Sequence, residues 1–184
     1  DKLKIALVGG FSEGKTSIAA AWLGKLDKSS MNISAAESSN EVSVYDIGDD
    51  CLLIDTPGLY GYKEQENADF EVEKYKDITK KYVSEAHIVL YVMNSKNPVK
   101  ESHKDDLIWL FRELNLLSRT VFVLSRFDEV ADVEDEDEYQ HFLNIKKNNV
   151  TERLQEFLKL NSQEVQQLSI VGVSANPFDE GVEY

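Results

Sequence analysis

Residues Gly9-Gly10-Phe11-Ser12-Glu13-Gly14-Lys15-Thr16 have the types and spacing to hold a polyphosphate. The pattern is G-x-x-x-x-G-K-S/T. Two glycines let the backbone turn tightly and present its N–H groups to anionic oxygens, and the lysine reaches the terminal phosphates. The Thr16 hydroxyl is a candidate Mg²⁺ ligand, Ser17 is a further candidate beside it, and the new helix presents its positive N-terminal end to the same anion. Two further groups carry chemistry. Asp55-Thr56-Pro57-Gly58 ends an apolar run, and Ser125-Arg126-Phe127-Asp128 ends another. In an open α/β sheet, a carboxylate at the C-terminal end of a strand faces the crevice where ligands bind.

These residues require strands that stop in the right places, and the hydrophobic pattern supplies them. Strands are expected at 4–8, 42–44, 51–54, 87–93, 120–124 and 168–173. Val42 and Val44 alternate with polar neighbours, and the turn-like 46–50 connects them to Cys51-Leu52-Leu53-Ile54, so an antiparallel edge hairpin is expected. Helices are read after Gly14 (Ile18, Trp22 and Leu26 on one stripe), over 66–83 (Val72, Tyr75, Ile78, Tyr82), and around Leu107, Leu110, Phe111, Leu114 and Leu117. A last helix carries Leu143, Val150, Leu154, Phe157 and Leu158. Alternating strands and helices imply an α/β fold: a mostly parallel six-stranded sheet with one antiparallel edge hairpin, in three layers with helices on both faces. The serine-rich 27–40 reads as a surface loop, and the acidic run 128–138 as a solvated one.

The 184 residues, 42% hydrophobic, suffice for one domain spanning 1–184, and both ends look cut from a longer chain. A net charge of −14 argues against a nucleic-acid partner and a broad polybasic membrane face. The single cysteine, Cys51, rules out an internal disulfide and fits a reducing cytoplasm; its expected role is packing. No apolar run is long enough to cross a bilayer. His87, His103 and His141 lack metal-ligand spacing, and Trp22 and Trp109 read as packing residues.

Guanine is favoured over adenine because a carboxylate accepts two hydrogen bonds from guanine N1–H and its 2-amino group, which adenine does not offer. Asp128 is the candidate, with the stem of Arg126 against the purine face. Here the sequence resembles GTPases: Ser125-Arg126-Phe127-Asp128 is similar to their N/T-K-x-D motif but departs at its first two positions. Ser174-Ala175-Asn176 resembles the S-A-K element that supports the base, and Asp55-Thr56-Pro57-Gly58 matches the D-x-x-G motif. The run from Val8 to Gly24, notably Phe11-Ser12 and Leu23-Gly24, resembles the start of bacterial dynamin-like GTPases.

That resemblance implies GTP or GDP with Mg²⁺, a GTPase domain on a helical stalk that touches membrane, and nucleotide-dependent dimerisation across the nucleotide face. The protein is then expected to be cytoplasmic or peripheral at a membrane. Lys15, Thr16 and the amides of Gly9 to Ser17 would hold the phosphates, Asp55 the metal through a water, and the Gly58 amide the γ-phosphate. Ser12 matches a serine that helps hold a monovalent cation in eukaryotic dynamins. Three departures accompany it. Leu59 stands where Ras-type enzymes carry a water-orienting glutamine, and Phe11 where dynamins carry one. No threonine lies between Thr16 and Thr56 for switch I, leaving Ser39 or Ser38 for the metal contact. The readings open at this point are a slow GTPase activated by pairing, a non-hydrolysing scaffold module, and an ATPase or small-molecule kinase.

Overall fold

The computed structural model describes residues 1–10, 13–23, 42–56 and 68–175, with the backbone alone at 16, 23 and 68–75. Among these, six strands form one sheet in the order β2-β3-β1-β4-β5-β6: β1 (Leu3–Gly9), β2 (Ser43–Ile47), β3 (Cys51–Asp55), β4 (Ile88–Asn94), β5 (Thr120–Ser125) and β6 (Ser169–Gly172). All neighbours run parallel except β2 and β3. The expected edge hairpin is therefore present. Its strand β2 takes in Asp46 and Ile47, so the turn is Gly48 to Asp50 rather than the longer 46–50; Gly48 supplies a left-handed φ of 62° there.

Period-two alternation in β1 builds both halves of the core. Ala6 and Val8 pack with Val89, Tyr91, Phe122 and Leu124 on one face; Ile5 and Leu7 pack with Leu53, Val92 and Val123 on the other. A strand apolar on both faces must be covered on both. Helix α1 (Lys15–Leu23) covers the second face through Ala19 and Ile18. The first face takes α2 (Ala68–Glu85), α3 (Lys104–Ile108), which runs on into a π-turn at Trp109–Glu113, and α4 (Glu136–Leu158). There Tyr91, Phe111 and Phe122 form a buried triangle with ring centroids 5.1–5.9 Å apart. Short α5 (Ser162–Gln167), which the periodicity did not suggest, is fixed by a capping box between Asn161 and Glu164 and by Arg112 on the Glu164 carboxylate.

Four local expectations change. Trp22 is 44% exposed; Ala19 and half-buried Ile18 carry the α1 contact. Among the described side chains of α2, at 76–85, Thr79 and Val83 are buried, one position round from the half-buried Ile78 and Tyr82. The third helix ends at Glu113, so that Leu107, Leu110 and Phe111 are buried on it, while Leu116, also buried, and the partly buried Leu114 and Leu117 lie beyond its end. The acidic run does not stay a loop: Asp135 accepts a hydrogen bond from Glu138 N as the N-cap of α4, and Glu136 to Glu138 form its first turn, where the helix dipole favours negative charge. Trp109 packs on the core as expected, and Cys51 packs on the second cluster.

Candidate functional site

The sheet register brings the C-terminal ends of β1, β3, β4 and β5 to one edge: Leu7 pairs with Asp55, Gly9 with Val92, and Asn94 with Ser125. Gly9 leaves β1 with φ 155°, and a Cβ there would lie 2.5 Å from the Val92 carbonyl oxygen, a backbone atom that cannot yield. Gly14 closes the loop at φ 91°, where a Cβ would press on Ser125 at 3.2–3.3 Å. Both positions demand glycine. The chain then enters α1, whose first turn is opened by Ile18 N donating to Gly14 O at 3.1 Å.

Lys15 is buried beneath this loop. Its ammonium donates to Thr56 O at 2.6 Å and lies 3.7 Å from Asp55 Oδ1, beyond hydrogen-bond reach. Burial holds the Lys15 ammonium below its ordinary pKa and pushes the Asp55 carboxyl above its own, each shift only partly offset by the partner's charge. Asp55 Oδ1 is buried without a hydrogen-bond donor among the described residues. Such an orphaned anionic oxygen beside a buried ammonium suits a hydrated cation and a polyphosphate. Thr56 is held in place by its own N–H and hydroxyl, both donating to Leu7 O.

Glu13, expected to serve through its backbone, also has a buried side chain with two partners. Its Oε2 accepts from Asn94 N at 2.7 Å and its Oε1 from Lys100 Nζ at 2.8 Å. The Glu13 carbonyl accepts from the Ser125 hydroxyl at 2.7 Å, which also lies 3.1 Å from Met93 O. The serine that departs from N/T-K-x-D therefore ties β5 to the phosphate loop.

Beyond Ser125 the chain turns through Arg126 in the left-handed region at φ 54°, then buries Phe127. Phe127 packs edge-on against Tyr139 at 5.2 Å, and its N–H donates to Val173 O. With Phe127 anchored, Arg126 and Asp128 are left exposed on either side of it. Asp128 Oδ1 accepts a short hydrogen bond from the Ser174 hydroxyl, so the structure brings these two sequence-marked residues together. Ala175 follows Ser174 beyond the end of β6, Ser17 is exposed on α1, and Gly10 is buried beside Gly9. Phe11, Ser12, Ser39, Gly58 and Asn176 lie outside the described residues, as does the Thr16 side chain. Sequence reasoning missed Asn94, Ser95 and Lys100. The strand end at Asn94 could have flagged the first two; nothing local marks Lys100.

A family model described as a 50S ribosome-binding GTPase matches residues 4–172. The chain belongs to this GTPase family. Among solved structures, it is similar to the LeoA bacterial dynamin GTPase from ETEC, with 44% identity and a TM-score of 0.79 over 99% of this chain and 31% of that one. The chain thus spans about a third of LeoA. A dimerization-deficient mutant of Toc33 from Arabidopsis thaliana shares the fold at 18% identity and TM-score 0.66, covering 95% of this chain and 71% of its own. Era in complex with MgGDPNP and 16S ribosomal RNA shares it at 17% identity and TM-score 0.55, over 94% and 50%. No curated protein matches. The family match and the likeness to LeoA agree with the three-layer P-loop GTPase fold expected from the sequence. No described helix is long and apolar enough to cross a membrane.

Proposed function

We propose that residues 1–184 act as one GTP-binding and GTP-hydrolysing domain whose nucleotide state controls self-association next to a membrane. The carrying observation is the pairing of a buried Lys15 and Asp55 at one end of the crevice with an exposed Asp128, held by Ser174, at the other. In this reading the amides from Gly9 to Ser17, including those of Gly10, Phe11, Ser12, Glu13 and Gly14, cradle the phosphates, and Lys15 neutralises their terminal oxygens. Thr16, Asp55 and Ser39 hold Mg²⁺, which when bound neutralises charge developing on the phosphoryl group. Gly58 senses the γ-phosphate through its amide, and Ser12 helps to hold a monovalent cation. Arg126 lies against the purine, Asp128 accepts its N1–H and 2-amino protons, and Ser174, Ala175 and Asn176 support that contact.

Leu59 cannot orient a water, so the lone domain is slow and pairing supplies what is missing, an effect on the order of 10³–10⁵ where a finger residue is provided. For the Toc33 and Toc159 translocon components, dimerization is described as important for the GTPase activity. The same Leu59 favours a second reading, a module that binds GTP without cleaving it.

The test is a competition titration of a fluorescent guanine nucleotide with Mg²⁺. GTP and GDP are expected to displace it and ATP to fail; equal competition by ATP, or no binding below millimolar, overturns the guanine assignment. Turnover per molecule should then rise with protein concentration. A fast rate independent of concentration refutes activation by pairing, and tight binding with no turnover at any concentration establishes the non-hydrolysing module.

A further inference from the structure

Glu13 is out of place by charge. It puts an anion one residue before Gly14-Lys15, in a loop whose work is to attract anions, and it is only 6% exposed. A buried carboxylate is tolerated when its charge is matched and its lone pairs are filled. Both conditions are met from one segment: the Asn94 amide and the Lys100 ammonium, the latter 87 positions away along the chain.

The segment from Asn94 to Lys100 is itself held under tension and tied to the other end of the crevice. Val99, buried and β-branched, sits at φ 52°, a conformation such residues avoid and keep only where surrounding contacts enforce it. Ser95 donates through its amide to Ser125 O and through its hydroxyl to Arg126 O, and Lys96 pairs with Glu129 at 3.0 Å. One loop therefore grips the phosphate loop through Glu13 and the Arg126 to Glu129 turn through Ser95 and Lys96.

We propose that Lys100 and Glu13 form a positioning pair: Lys100 cancels the Glu13 charge so that the phosphate loop presents a net positive face, and the pair locks that loop to the Asn94–Lys100 strut. The inference rests on the nucleotide-binding reading above and adds to it a residue outside every sequence motif of the site. The physical consequence is asymmetric. Removing Lys100 alone leaves an unmatched buried anion beside the phosphates, and repulsion grows with phosphate number. Removing the Glu13 charge as well eliminates the repulsion.

The experiment measures GTP, GDP and GMP affinities for the wild type, Lys100→Ala, Lys100→Arg, Glu13→Gln and the Glu13→Gln/Lys100→Ala double variant. Thermal unfolding of each without nucleotide serves as a control. Lys100→Ala is expected to lose at least tenfold in GTP affinity, less for GDP and least for GMP. Lys100→Arg should stay within threefold of the wild type, and the double variant should recover most of the loss. If Lys100→Ala fails to fold, the double variant should fold and bind, because the stranded charge is gone. Unchanged affinity in Lys100→Ala, an equal loss for all three nucleotides, or a double variant as weak as Lys100→Ala overturns the pair's role. Wild-type protein that binds no nucleotide would instead refute the parent reading, and the inference with it, so the two failures are told apart by the first titration.

Discussion

Lys15→Ala is expected to weaken GTP by a factor of about 10²–10⁴, the loss of two charge-assisted hydrogen bonds at about 1.5–3 kcal/mol each. The ammonium already points into the crevice, donating to Thr56 O with Asp55 beside it. Its pKa is depressed because burial outweighs the opposing charge of Asp55, so a polyphosphate meets an ammonium that is not fully compensated. The unliganded variant should respond to pH in a defined way. Asp55 has a folded pKa raised above its ordinary value, so the folded state binds more protons than the unfolded one between those two values. Its presence therefore favours folding on the acid side, and this is lost as pH rises through the folded pKa. Removing Lys15 takes away the charge that opposes the shift and widens that window upward. Urea unfolding of Lys15→Ala should show stability falling more steeply from acid to neutral pH than in the wild type, and Asp55→Asn in the same background should flatten it. Near-wild-type GTP affinity would remove Lys15 from the phosphate site.

What the sequence made legible was whatever is local. The phosphate loop needs two glycines and a lysine at fixed spacing, and the structure gives the reasons as a Val92 carbonyl at 2.5 Å from a Gly9 Cβ and a left-handed turn at Gly14. Alternation in β1 was equally plain, because Ile5 and Leu7 face one half of the core and Ala6 and Val8 the other. Asp128 and Ser174 were each marked by a motif at a strand end, and parallel register brings the two ends together, but their hydrogen bond appears only in the structure. What stayed hidden depends on partners far along the chain. Ser125 looked like a flawed asparagine position until its hydroxyl was found on the Glu13 carbonyl. Lys100 carries no pattern of its own and gains meaning from a carboxylate on another loop. Trp22 misled because helical spacing identifies a stripe but not how wide a stripe the sheet can cover; Ala19 allows the close approach that a larger residue would prevent. The acidic run misled in the other direction, since carboxylates that repel in a loop are favourable in the first turn of α4.

Asp128→Asn should exchange one base for another instead of simply weakening the site. A carboxylate offers acceptors only, matching the two donors of guanine, N1–H and the 2-amino group. An asparagine amide offers one acceptor and one donor. Its donor would then face the guanine amino group, costing about 3–4 kcal/mol, or about 10²–10³ in GTP affinity, from a lost charge-assisted bond and an unmatched donor. Xanthine has a carbonyl in place of that amino group beside the same N1–H, so the amide meets it with both bonds formed, and xanthosine triphosphate should gain what GTP loses. The substitution is nearly isosteric, and its surroundings tolerate it: Asp128 is exposed, Phe127 carries the anchoring, and the Ser174 hydroxyl can donate to the amide oxygen as it does to the carboxylate. Folding should therefore be unaffected, which separates this result from a general loss. The competition titration, run with GTP and xanthosine triphosphate on both proteins, reads the exchange directly. If GTP binds Asp128→Asn as tightly as the wild type, the carboxylate does not meet the base, and the short bond from Ser174 only fixes the end of β6 against the turn after β5.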